Sequence, residues 1–130
     1  MNKQEFSQIR QHIGKTQNQM AQLLGISLKA VQSFEQEWRN IPVHIDRQML
    51  FLLALKRSRN KKRKPCWEIR KCSMEIRRNC TAWEFQAGHF CWFINGTMCQ
   101  GEVQESWQKK IKICQQCEVF NSMFGPHLRV

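Results

Sequence analysis

The chain has 130 residues, with twenty-one Lys and Arg against ten Asp and Glu (net charge +11), seven cysteines, five tryptophans and no tyrosine. That length holds one compact domain or two small ones and excludes large catalytic folds such as barrels and doubly wound sheets. Every cysteine lies between Cys66 and Cys117, while the segment ending at Lys64 has thirteen basic against four acidic residues, net +9.

Charge and thiols therefore belong to different modules. The expected organisation is a helical domain over 1–55, a basic linker over 56–64, a cysteine-rich domain over 65–120 and a tail over 121–130. A small, strongly cationic domain attracts anionic polymers, so nucleic acid is the leading partner and an acidic membrane surface the second. The N-terminal stretch MNKQEFSQIRQHIGK is polar and lacks the apolar core of a signal peptide. Met49 to Leu55, the longest apolar run, is far short of the roughly 20 residues of a membrane helix. A cytoplasmic protein is expected. In that reducing compartment cysteines serve as metal ligands or redox groups rather than as a disulfide frame.

In the first module, Phe6, Ile9 and Ile13, then Met20, Leu23 and Leu24, then Leu28, Val31 and Phe34 recur at spacings of three and four. This predicts short amphipathic helices. Thr16 and Ser27 are suited to cap the second and third, and Gly25 between them to take a positive φ.

The stretch Gln17 to Gln36, QNQMAQLLGISLKAVQSFEQ, resembles the helix-turn-helix of phage-repressor-like (XRE family) bacterial regulators. Ala21 stands at the small helix-contact position, Gly25 at the tight turn, and Val31 and Phe34 at the apolar anchors of the second helix. The resemblance implies a recognition helix from Ser27 to Arg39 whose N-terminal, outward side chains enter the major groove of double-stranded DNA. Its candidates are Ser27, Leu28, Lys29, Gln32 and Ser33. Gln32 suits adenine, Lys29 guanine or phosphate, and Leu28 a thymine methyl. Gln17 matches a phosphate-contacting position. The plainer alternative for each is a solvated helix face. The resemblance also implies a structural pair between Arg10 and Glu35. Many members have a glycine shortly after that glutamate. This chain has Glu37-Trp38, which predicts a longer recognition helix ending before Ile41-Pro42.

Lys56 to Lys64 (KRSRNKKRK) carries seven positive charges in nine residues. It reads as a flexible or fraying linker, with Lys61, Lys62, Arg63 and Lys64 as a phosphate-binding arm or a solubilising spacer.

Beyond it, Cys66, Cys72, Cys80, Cys91, Cys99, Cys114 and Cys117 follow the spacing C-x5-C-x7-C-x10-C-x7-C-x14-C-x2-C. So few aliphatic residues accompany them that a metal or staples are needed to hold the domain. Cys114-x2-Cys117 is the strongest local ligand signal, closing a helix on which Val103, Trp107, Ile111 and Cys114 recur. The tryptophans read as core. CWEIRKC, NCTAW, CWFINGTMC and KICQQCEVF together resemble the two-CW domain, a bacterial cysteine-rich module, from Pro65 to about Phe120.

Three chemistries stay open for the cysteines. They are an iron-sulfur cluster of the [4Fe-4S] kind, zinc with His89 or the more remote His127 as an eighth ligand, and thiol switching beside Arg70, Lys71, Arg77 and Arg78. The reading is a mainly α protein, with an N-terminal helix-turn-helix bundle and a small irregular, metal- or cluster-stabilised C-terminal domain. It would act as a homodimeric transcriptional regulator whose cysteine cluster either senses redox or metal state or stabilises the C-terminal domain. The alternative is a zinc-held adaptor for a signalling protein. No nucleophile-base pair, phosphate loop or paired carboxylates point to an enzyme.

Overall fold

The computed structural model describes residues 1–57, 64–104 and 106–124. Among them the chain is mainly helical and has no strand beyond an isolated antiparallel bridge between Thr97 and Gln104. Residues 1–57 belong to one compact unit, and residues 64–104 and 106–124 to a second.

The first unit contains α1 (Lys3–Ile13), α2 (Gln17–Leu24), α3 (Leu28–Glu35) and α4 (Val43–Arg57). Local chemistry sets the helix starts. Asn2 with Glu5 and Thr16 with Gln19 form reciprocal capping boxes, and Ser27 accepts from the Ala30 amide at 3.0 Å. Gly14 and Gly25 end α1 and α2 in the left-handed conformation. Helix α1 packs on α3 and α4, and α2 on α3. Phe6, Ile9, Met20, Val31, Phe34, Ile45, Met49 and Leu53 form the core, with the Phe6 and Phe34 rings edge to face at 5.7 Å. Leu24 takes the inward position of α2, which leaves Leu23, expected on the apolar row, 46% exposed.

Two expectations for this unit are corrected. Helix α3 ends at Glu35 and does not run on to Pro42, because Glu37 adopts φ 60° and supplies the left-handed residue that a glycine would have supplied. The amides of Glu37 and Trp38 donate to Phe34 and Ser33 carbonyls at 3.4 and 3.0 Å, a Schellman closure. Lys56 and Arg57, expected in the linker, are the last turn of α4, and the Lys56 ammonium donates to the Ile13 carbonyl.

The second unit contains α5 (Cys66–Ile69), α6 (Met74–Arg78), α7 (Thr81–Glu84), a 3-10 turn (Cys99–Gly101), α8 (Trp107–Cys114) and α9 (Glu118–Phe124). Its core is aromatic. Trp92 is 1% exposed and meets Phe93, Phe120 and Phe124 edge to face. Trp67 and Trp83 pack at 4.9 Å, with the Arg77 guanidinium 5.0 Å from the Trp83 ring. These tryptophans are packing, as expected, whereas Trp38 in the first unit is 76% exposed.

Two boundaries move. Met123 and Phe124, expected in a tail, are buried on α9. Val103 is exposed and lies outside α8, because Gly101 takes a left-handed φ and the Thr97–Gln104 bridge turns the chain before the helix begins.

Candidate nucleic-acid interface and candidate metal centre

In the first unit the turn from Gly25 to Ser27 joins α2 to α3, and the Ile26 amide closes it by donating to the Ala21 carbonyl at 3.0 Å. The N-terminal end of α3 presents Ser27, Leu28 and Lys29 at the surface, with Gln32 half-buried one turn on. Ser33 is different. It is buried, and its hydroxyl donates to the Lys29 carbonyl at 2.8 Å, so it does not belong to the outward face.

Gln17 also departs from expectation. Its side-chain amide donates to Glu35, whose other carboxylate oxygen accepts from Arg10 Nε at 2.6 Å. Arg10 further donates to the Lys15 carbonyl at 3.0 Å. The Arg10–Glu35 pair is therefore present and ties α1 to α3. It engages the Gln17 side chain inside the unit, leaving the amides at the start of α2 as the donors that end can offer an anion. Lys64 is exposed, and Lys61, Lys62 and Arg63 lie outside the described residues.

In the second unit the thiols converge from separate segments. Cys66 opens α5, and its amide donates to the Gly88 carbonyl at 2.9 Å. Cys72 follows α5, Cys80 precedes α7, Cys91 adjoins Trp92 in the turns before the 3-10 segment, and Cys99 opens that segment. Cys114 ends α8, and Cys117 lies in the turn to α9. Cys66, Cys72, Cys80, Cys91, Cys99 and Cys117 line one cavity of about 210 Å³, with Arg70 and Lys71 on its wall. Cys91, Cys99, Cys114 and Cys117 line a second of about 120 Å³. Three cysteines are shared, so the two spaces adjoin. His89 lines neither cavity, and its carbonyl accepts from the Trp92 indole at 3.2 Å. His127 lies outside the described residues.

Electrostatics divide the thiols. The Cys91 thiol hydrogen-bonds Cys66 and holds the Cys66 thiol below its ordinary value against the cost of burial. The same bond, then burial, pushes Cys91 well up. Burial, then the neighbouring Cys66, Cys80 and Cys99, raises Cys72. Burial pushes Cys114 up to about 12, against the pull of the Lys110 charge. The Met98 amide donates to Cys80 Sγ at 3.4 Å.

Sequence reasoning passed over Lys110, which is fully buried with its ammonium donating to Thr97 Oγ1. The available signal was its place on α8, between Trp107 and Cys114 on the helix's apolar row.

The donor set is chemically suited to a thiolate-bound metal group, since the thiols are joined by backbone and side-chain donors and by cations. Among the described residues no group of three or more His, Cys, Asp or Glu side chains is arranged to hold a metal ion. The thiols surround a space and do not meet at a point. Among the described residues, too, no helix is long and apolar enough to cross a membrane. Compared with protein-family models, curated proteins and solved structures, the chain gives no match.

Proposed function

We propose that the chain is a DNA-binding transcriptional regulator whose cysteine module holds an iron-sulfur cluster and reports its state to the DNA-binding module. Helix α3 is the recognition element, reading a major groove with Leu28, Lys29 and Gln32, while Ser27 caps the helix beside the phosphates. The reading is supported by the likeness of Gln17 to Gln36 to the phage-repressor-like helix-turn-helix and by the concentration of positive charge in residues 1–64. A homodimer on a two-fold operator completes the reading.

The observation that favours a cluster over a single zinc ion is the ring of thiols around a cavity. Four sulfurs bound to one zinc at about 2.3 Å stand about 3.8 Å from one another, whereas a [4Fe-4S] group spreads its thiolates over a wider shell. Such a group supplies one-electron chemistry and sensitivity to oxidants. The chain's own part is to bring the thiols together, exclude water with Trp92, Val119 and Phe120, and set the local charge with Arg70 and Lys71.

Two measurements test this. Titration of a fluorescent operator-selected duplex with wild type and with Lys29→Ala/Gln32→Ala is expected to give at least a tenfold loss of specific affinity with non-specific affinity retained. Equal loss on all sequences removes α3 as the reader. Iron, sulfide and zinc analysis after anaerobic purification is expected to find iron and sulfide; zinc alone would favour the adaptor reading.

A further inference from the structure

Lys110 on α8 has none of its surface exposed. Its ammonium donates to the hydroxyl of Thr97, itself buried and on the wall of the larger cavity. The Cys99 thiol lies 3.5 Å from the same oxygen. Among the described residues no carboxylate stands within ion-pair distance of Lys110. A buried ammonium without a counter-charge is strongly disfavoured. The groups on that side of the helix able to take up negative charge are the cysteines of the cavity wall, Cys99 among them through the shared Thr97 oxygen. Neutral thiols leave the ammonium uncompensated, whereas a metal-thiolate group of net negative charge compensates it.

We propose that Lys110 is the internal counter-cation of the metal-thiolate group, a positioning residue whose buried charge retains that group and raises its reduction potential. The proposal rests on the reading that the cysteines hold such a group. A cluster gains negative charge on reduction, so a fixed cation nearby favours the reduced state.

The test compares wild type, Lys110→Met and Lys110→Arg as full chains, loaded and metal-free. Methionine keeps an unbranched apolar stem without charge, and arginine keeps the charge. Lys110→Met is expected to lose its metal to a chelator at least tenfold faster than wild type, with Lys110→Arg restoring retention. For an iron-sulfur group its midpoint potential should fall by at least 59 mV, a tenfold change in the oxidised-to-reduced ratio of a one-electron couple. Metal-free, reduced Lys110→Met should unfold at the same or a higher temperature than wild type, since an uncompensated charge has gone. A variant destabilised equally in both states makes Lys110 purely structural and overturns the proposal. So does a loaded variant that matches wild type in retention and potential, with the metal-group reading left standing. A wild-type chain that binds neither iron nor zinc overturns that reading and the proposal together.

Discussion

Glu37 holds a backbone conformation that glycine adopts at lower cost. With φ 60° it closes α3, and the compensating contact in sight is an exposed pair with Lys3 at 3.6 Å, which contributes little in water. Glu37→Gly is therefore expected to stabilise the first unit by about 0.5–1 kcal/mol in chemical denaturation, since relieving the strain outweighs the added freedom of the unfolded chain. Cys114 makes the opposite kind of demand. Burial raises its thiol to about 12 from an ordinary 9.0, so the folded state keeps a proton that the unfolded chain releases. That stability is complete below pH about 9 and is lost as the pH climbs toward 12. Metal-free protein should weaken over that window, and Cys114→Ala should flatten the decline, as thermal melts at stepped pH would record. For the same reason metal uptake should release protons and strengthen as pH rises. Residue roles fixed by near neighbours were legible in the sequence, as with the caps Thr16 and Ser27 and the turn glycine Gly25. Ser33, Gln17 and Lys110 were not, because packing decides whether a polar side chain faces water, a backbone carbonyl, a carboxylate or a buried hydroxyl.

The elements of the first unit follow their apolar period closely, because Phe6, Ile9 and Ile13, or Met20 and Leu24, mark one face of a helix wherever the helix sits. Their ends were less legible: the stop of α3 depends on a non-glycine residue accepting a left-handed φ. In the second unit the helices are four to eight residues long, too short for a period to emerge, and Met123 and Phe124, buried on α9, lay beyond the expected domain edge. The cysteine spacing pointed to convergence without giving the path. Gly88 is one place where the path is fixed. A side-chain carbon there would stand 2.4 Å from Pro65 Cβ, and its carbonyl anchors the Cys66 amide. Gly88→Ala is expected to destabilise the second unit by about 1–3 kcal/mol and to lower metal stoichiometry, read from a melt and metal analysis of the same preparation.

Across the whole molecule, the thiols all lie in the second compact unit, whereas the basic stretch that ends at Lys64 does not follow the division between units, since Lys64 belongs with the thiols. Changing Lys61, Lys62, Arg63 and Lys64 to glutamine is expected to flatten the plot of log DNA affinity against log salt by about 0.9 for each phosphate no longer neutralised, with sequence preference intact. An unchanged slope would reduce that stretch to a spacer. The proposed regulation requires that the state of a bound cluster and DNA affinity be coupled, so operator binding by loaded, metal-free and oxidised protein should differ. Equal affinities would assign the cysteines to stability alone.

The wall of the larger cavity is drawn from both ends of the second unit, Cys66 on α5 and Cys117 just ahead of α9, and these two helices pack together. Closing so long a loop carries a conformational-entropy cost that contacts between near neighbours do not. During synthesis the earlier thiols emerge before the one that completes the wall, and they remain open to oxidants until it arrives. On the proposed reading a metal group is loaded once Cys117 is in place, and oxygen exposure before that point should lower the loaded fraction more than the same exposure afterwards.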